Sequence, residues 1–169
     1  MIELTQILSL ARLLLAAFGF ISLIAVIYGV AAGLLPALVR LGKGLSGRKV
    51  AVFASGPQLS SIRNHLSDSR LFKPKNIYSI ESRGELTRAQ GCTIFLVHWK
   101  DWVDKIDEII RLKQDHTALV IYAPFADGRI ADHDMEKLEK ERNVMVTNFR
   151  GRLMNDLLVT MIASGYEKK

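Results

Sequence analysis

The chain has one cysteine among its 169 residues, so no disulfide can form within it. That suits a reducing compartment. Cys92 opens an apolar run and reads as a buried, inert thiol. No internal repeat and no low-complexity tract is present, which excludes a repeat array or a biased, unfolded chain. G-x-G-x-x-G is absent, and so is a Walker lysine–serine pair, so neither common phosphate loop applies. Charge is missing from one long stretch: residues 13–39, 27 positions, hold no Asp, Glu, Lys or Arg. That run exceeds the roughly 18–20 apolar residues that suffice to span a bilayer. It is also about twice the 7–15 residues of a signal-peptide core, so it reads as a retained anchor.

Residues 1–40 are therefore expected to form a membrane anchor with its span at about 13–39. Arg40, Lys43, Arg48 and Lys49 follow the span, whereas only Glu3, Arg12 and the amino terminus precede it. The basic excess places the C-terminal side in the cytoplasm and the anchor, single-pass, in a cell inner membrane. The net charge of +6 is in part this collar, a topology and lipid-headgroup signal rather than a DNA or RNA footprint. Gly29 and Gly33 form a G-x-x-x-G pattern within a stripe of small residues, which suits self-association in lipid. Residues 41–48 (LGKGLSGR) read as a basic, glycine-rich linker.

Residues 49–169 alternate between two patterns. Continuous β-rich runs at 49–54, 93–98 and 117–123 fit strands buried on both faces, with shorter strands at 76–80 and 144–148. Helical spacing marks Leu59, Ile62 and Leu66, then 103–110, 132–142 and 153–163. One or two helical turns fit 85–90. The Glu136/Lys140 and Lys137/Glu141 pairs stand at i, i+4. The expected fold class is α/β: an N-terminal transmembrane helix, then a doubly wound, flavodoxin-like five-stranded parallel sheet of order 2-1-3-4-5.

Ligands of such sheets bind beyond the carboxyl ends of the strands. Ser55-Gly56 follows the first strand and opens a helix, an arrangement that lets backbone amides meet an anion. Arg150-Gly151-Arg152 follows the last strand. Its cations oppose the dipole of the helix that follows, a misfit for pure stability, while their guanidinium forks suit phosphate or carboxylate. A salt bridge to Asp156 is the structural alternative. Trp99 and Trp102 fill a core or anchor an interface. His98, at a strand end, is expected to be packed or hydrogen-bonded. Asp132-His133-Asp134 cannot converge on one ion, so no metal site is expected, and one of the aspartates is expected to cap its helix. Receiver-type phosphoryl chemistry is excluded, because Ser55 and His98 stand where that chemistry needs acids.

The segment AQGCTIFLVHWKDWVDKIDEII, residues 89–110, resembles the part of a TIR-like domain in which a hydrophobic strand, an exposed loop and a glutamate-bearing helix follow one another. That resemblance implies cleavage of NAD with Glu108 as the catalytic carboxylate. The layout also resembles membrane effectors that join a spanning helix to a CRISPR-associated Rossmann-fold sensor, which implies a nucleotide ligand, dimerisation and phage defence. The leading expectation is a non-enzymatic, self-associating, membrane-anchored sensor or signalling module. An NAD hydrolase and a passive scaffold for a protein partner are the alternatives. No cofactor beyond a nucleotide ligand is expected.

Overall fold

A computed structural model describes residues 2–166. Met1 and residues 167–169, at the ends of the expected anchor and domain, lie outside the described residues. The chain divides into two compact units, Met1–Gly44 and Leu45–Lys169.

Helix α1, Ile2–Ser46, of 45 residues, makes up the first unit and continues two residues beyond it. Its stretch Leu8–Pro36 is long and apolar enough to cross a membrane, and none of it is buried within the chain. The helix does not stop at the expected glycine-rich linker, and only Gly47 turns. Glycine costs a helix only about 1 kcal/mol per residue, and Leu41, Lys43 and Leu45 between the glycines are good helix formers.

The second unit is a five-stranded, all-parallel sheet of order β2-β1-β3-β4-β5. Its strands are β1 (Val50–Phe53), β2 (Ile77–Ile80), β3 (Ile94–His98), β4 (Ala118–Tyr122) and β5 (Val144–Thr147). The helices are α2 (Gly56–Asp68), α3 (Trp99–Trp102), α4 (Ile106–Leu112), α5 (Asp132–Glu139) and α6 (Arg150–Tyr166). A 3-10 segment, Arg83–Ala89, makes the crossover from β2 to β3.

Alternation along the strands sends successive side chains to opposite faces. Phe53, Phe95, Val97, Leu119 and Ile121 join Trp102, Ile106, Ile109 and Leu138 on one face. Val50, Val52, Leu96 and Val120 join Leu59, Ile62, Leu66, Leu153, Leu157 and Met161 on the other. Both faces of β1, β3 and β4 are thus covered, which explains their unbroken apolar runs. Each such side chain contributes roughly 1.5–3 kcal/mol on burial.

Several local expectations shift. Helix α5 ends at Glu139 rather than near Arg142, and the chain then turns through Asn143 at φ 56°. Its N-cap is Ala131, so the expected cap by Asp132 or Asp134 is not made. Both acids stand in the first turn, where the helix dipole favours them. Glu136 and Lys140 pair at 2.8 Å as expected, but Lys137 reaches Asp107 of α4 at 2.7 Å instead of Glu141. Helix α6 begins at Arg150, three residues before the apolar pattern starts.

Candidate functional site

The carboxyl edge of the sheet carries a polar cluster built on His98. The last residue of β3, His98 is only 1% exposed. Nε2 lies 3.0 Å from Oδ2 of Asp127, which follows β4. Lys100 Nζ donates to the other oxygen of Asp127 at 3.2 Å. On the opposite side of the ring, Asp101 Oδ2 stands 2.9 Å from Nδ1, but off the line of a directed hydrogen bond. That oxygen accepts its aligned bond from the Ser55 amide, at 2.8 Å. The Tyr122 ring lies 5.9 Å from the imidazole. His98 thus joins the ends of β3 and β4 through Asp127, while Asp101 joins those of β3 and β1 through the Ser55 amide.

Burial alone would raise the Asp127 carboxyl. Hydrogen bonds from His98 and Lys100, with their charge, outweigh burial and hold Asp127 below the ordinary carboxylate range. Gly128, at φ 99°, turns the chain back after Asp127, a conformation that side-chain-bearing residues rarely adopt. The two aspartates lie against opposite ring nitrogens and cannot converge on one ion with His98. Among the described residues no group of three His, Cys, Asp or Glu could hold a metal.

Ser55 and Gly56 stand at the start of α2, as expected. The Ser55 amide, however, is already bonded to Asp101, so the chain's own carboxylate sits where an anionic ligand was expected. Arg150, Gly151 and Arg152 form the first turn of α6. Both arginines are exposed, and Arg152 reaches the buried Asp156 at 3.7 Å. Strands β3 and β4 lie between β1 and β5. At about 4.8 Å per strand, the Ser55 and Arg150 ends of the sheet are roughly 14 Å apart. The fold therefore does not gather these five residues around one small ligand.

Trp99 and Trp102 belong to the core, at 6% and 1% exposed, rather than to an open interface. Trp102 meets Phe53 edge-to-face at 5.4 Å, and Lys105 stands over its ring at 5.0 Å. Glu108 is held by Arg83 at 2.9 Å. Gly29 and Gly33 lie on open parts of α1, with no other side chain near either. Phe125 and Phe149, 77% and 62% exposed, stand at the ends of neighbouring strands β4 and β5. A cleft of about 370 Å³ opens beside Phe125, Arg129 and Asn148.

Sequence reasoning missed the Asp101–His98–Asp127 arrangement. The available signal was positional: loops after neighbouring parallel strands converge, so an acid after β4 belongs beside a histidine ending β3.

The class these features define is an α/β protein with a flavodoxin-like parallel sheet and one N-terminal helix long enough to span a membrane. No protein-family model, curated protein or solved structure matches the chain.

Proposed function

We propose that the chain is a single-pass, membrane-anchored binding module that faces the cytoplasm and works without catalysis. Its ligand or partner is anionic and engages the Arg150–Arg152 turn at the far carboxyl edge of the sheet. The carrying observation is the state of that edge. The switch-point crevice, between β1 and β3, is closed by Asp101 on the Ser55 amide. Arg150 is exposed and has no ion-pair partner among the described residues. Glu108, the acid an NAD hydrolase would use, is engaged by Arg83. That favours binding over hydrolysis. The open glycine face of α1 supports self-association through the span.

The test uses the full chain in detergent. Melting temperature is read against a panel of nucleotides and acidic peptides, and assembly is read by light scattering. A binder should raise stability, by about 2.7 kcal/mol at a hundredfold excess over Kd. Arg150→Ala with Arg152→Ala should abolish that rise. A chain that stays monomeric and unshifted throughout, or one that turns over NAD through Glu108, would overturn the reading.

A further inference from the structure

The parallel sheet sorts charge between its two edges. The segments entering the strands are 47–49, 68–76, 88–93, 111–117 and 139–143. Together they carry ten Lys or Arg and four Asp or Glu. The segments leaving the strands are 54–58, 81–85, 99–105, 123–134 and 148–152. They carry six Lys or Arg and seven Asp or Glu. The amino edge therefore holds a surplus of six positive charges, and the carboxyl edge is close to neutral. These cations are scattered along nearly a hundred residues of sequence, and only the topology brings them to one edge.

Many of the amino-edge cations are available. Arg70, Lys73, Lys75 and Arg142 are exposed and have no ion-pair partner among the described residues. The first three precede β2 and the last precedes β5, the two outer strands, so the cations cover the full width of the sheet. Near the middle of the edge a polar cleft of about 430 Å³ lies among Gln90, Gly91, Arg111, Lys113, Gln114 and Thr117. Other amino-edge cations are spoken for within the chain. Arg48 donates to Ser164, Arg88 pairs with Glu85, and Lys113 lies 3.9 Å from Glu141.

Connectivity says what lies near this edge. Only Gly47, Arg48 and Lys49 separate the end of α1 from β1. That is at most about 14 Å of chain. The ten helical residues that follow Pro36 rise about 15 Å, roughly two to three times the thickness of one headgroup layer, so the tether is short. Because every strand is parallel, all five amino ends share one edge with the start of β1, the strand that α1 precedes in sequence.

We infer that the amino edge of the sheet is a docking face for anionic lipid headgroups, which holds the domain against the membrane and leaves its carboxyl edge open to the cytoplasm. This rests on the reading of α1 as a membrane anchor. The attraction is electrostatic, so it weakens with salt and scales with the fraction of anionic lipid.

The test reconstitutes the full chain in nanodiscs of phosphatidylcholine alone or of an equimolar mixture with phosphatidylglycerol. Hydrogen exchange is measured over 68–76 and 111–117, with 99–105 and 123–134 as internal controls. Exchange over the first two segments should slow several-fold in the anionic discs only. The slowing should vanish at high salt and in the Lys73→Glu, Lys75→Glu double variant. Both lysines are exposed, so that variant keeps its fold, and the emission of the buried tryptophans verifies it. Equal exchange in the two discs, or slowing on the carboxyl-edge segments, would overturn the docking face and leave the anchor standing. Protection by single-stranded RNA in neutral discs, with none from phosphatidylglycerol, would overturn it in favour of nucleic acid. A chain that leaves both discs would overturn the anchor, and the docking face with it.

Discussion

Replacing His98 with leucine tests the polar cluster most directly. The ring is buried, and both of its nitrogens face carboxylate oxygens within 3.0 Å. Leaving a fully buried carboxylate without its partner costs about 3–5 kcal/mol. Two features reduce that figure here. Asp127 keeps Lys100 at 3.2 Å and Asp101 keeps the Ser55 amide at 2.8 Å, and both carboxylates reach some solvent. One directed, charge-assisted hydrogen bond is lost outright, worth about 1.5–3 kcal/mol. The expected net loss is about 2–3 kcal/mol, or about 10 °C in melting temperature for a domain of this size. The assay is urea unfolding of the full chain in detergent, followed by tryptophan emission. Both tryptophans, Trp99 and Trp102, lie within four residues of His98 in the core. A double-mutant cycle with Asp127→Asn separates the pair from the rest of the network. A loss below about 0.5 kcal/mol, or a cycle with no coupling, would refute the claim that this histidine joins the ends of β3 and β4.

Four other outcomes are expected. Asp127 has its folded pKa lowered, so its contribution is present above the ordinary aspartate pKa near 4 and is lost as pH falls through the folded value. Acid titration of the wild type should show this loss, and Asp127→Asn should flatten it. Burial pushes the Cys92 thiol up to about 11, against the pull of Lys49, so alkylation at pH 8 should be slow until urea unfolds the domain. Gly151→Ala should stabilise by about 0.5–1 kcal/mol through helix propensity, since the added methyl meets only the exposed Phe149 ring, which can turn away; calorimetry reads this. Glu108→Ala should change stability by less than about 1 kcal/mol, because its pair with Arg83 is a surface one, and should leave ligand binding intact.

The architecture was legible because its cause is simple. Runs such as VAVF, IFLVH and ALVIY are apolar at every position, which only strands covered on both faces require. Crossovers of helical length then leave few topologies, and the handedness rule favours one of them. The boundaries were less legible because they depend on small terms. Glycines at 42 and 44 did not end α1, and Arg150 joined α6 despite its unfavourable charge at a helix start. The tryptophans suit a core or an interface by residue type, and only three-dimensional packing separates the two. Lys137 had two acids within reach, and tertiary contact with α4 decided between them.

The two edges of the sheet were unreadable for a different reason. Each collects short segments far apart in sequence, so neither the aspartates around His98 nor the surplus of cations at the amino ends forms a local motif. Their contrast has a mechanical consequence. At the carboxyl edge the charges pair with one another, and Asp101, His98, Asp127 and Lys100 hold three strand ends in place. At the amino edge Arg70, Lys73, Lys75 and Arg142 are exposed and have no ion-pair partner among the described residues. Helix α6 runs from Arg150 to Ser164, which accepts the Arg48 bond, so the proposed ligand at Arg150 would be coupled to Arg48 through one helix. Arg48→Ala should therefore weaken any effect of that ligand on assembly while leaving its affinity unchanged. Equal loss of both would mean that Arg48 merely supports the fold.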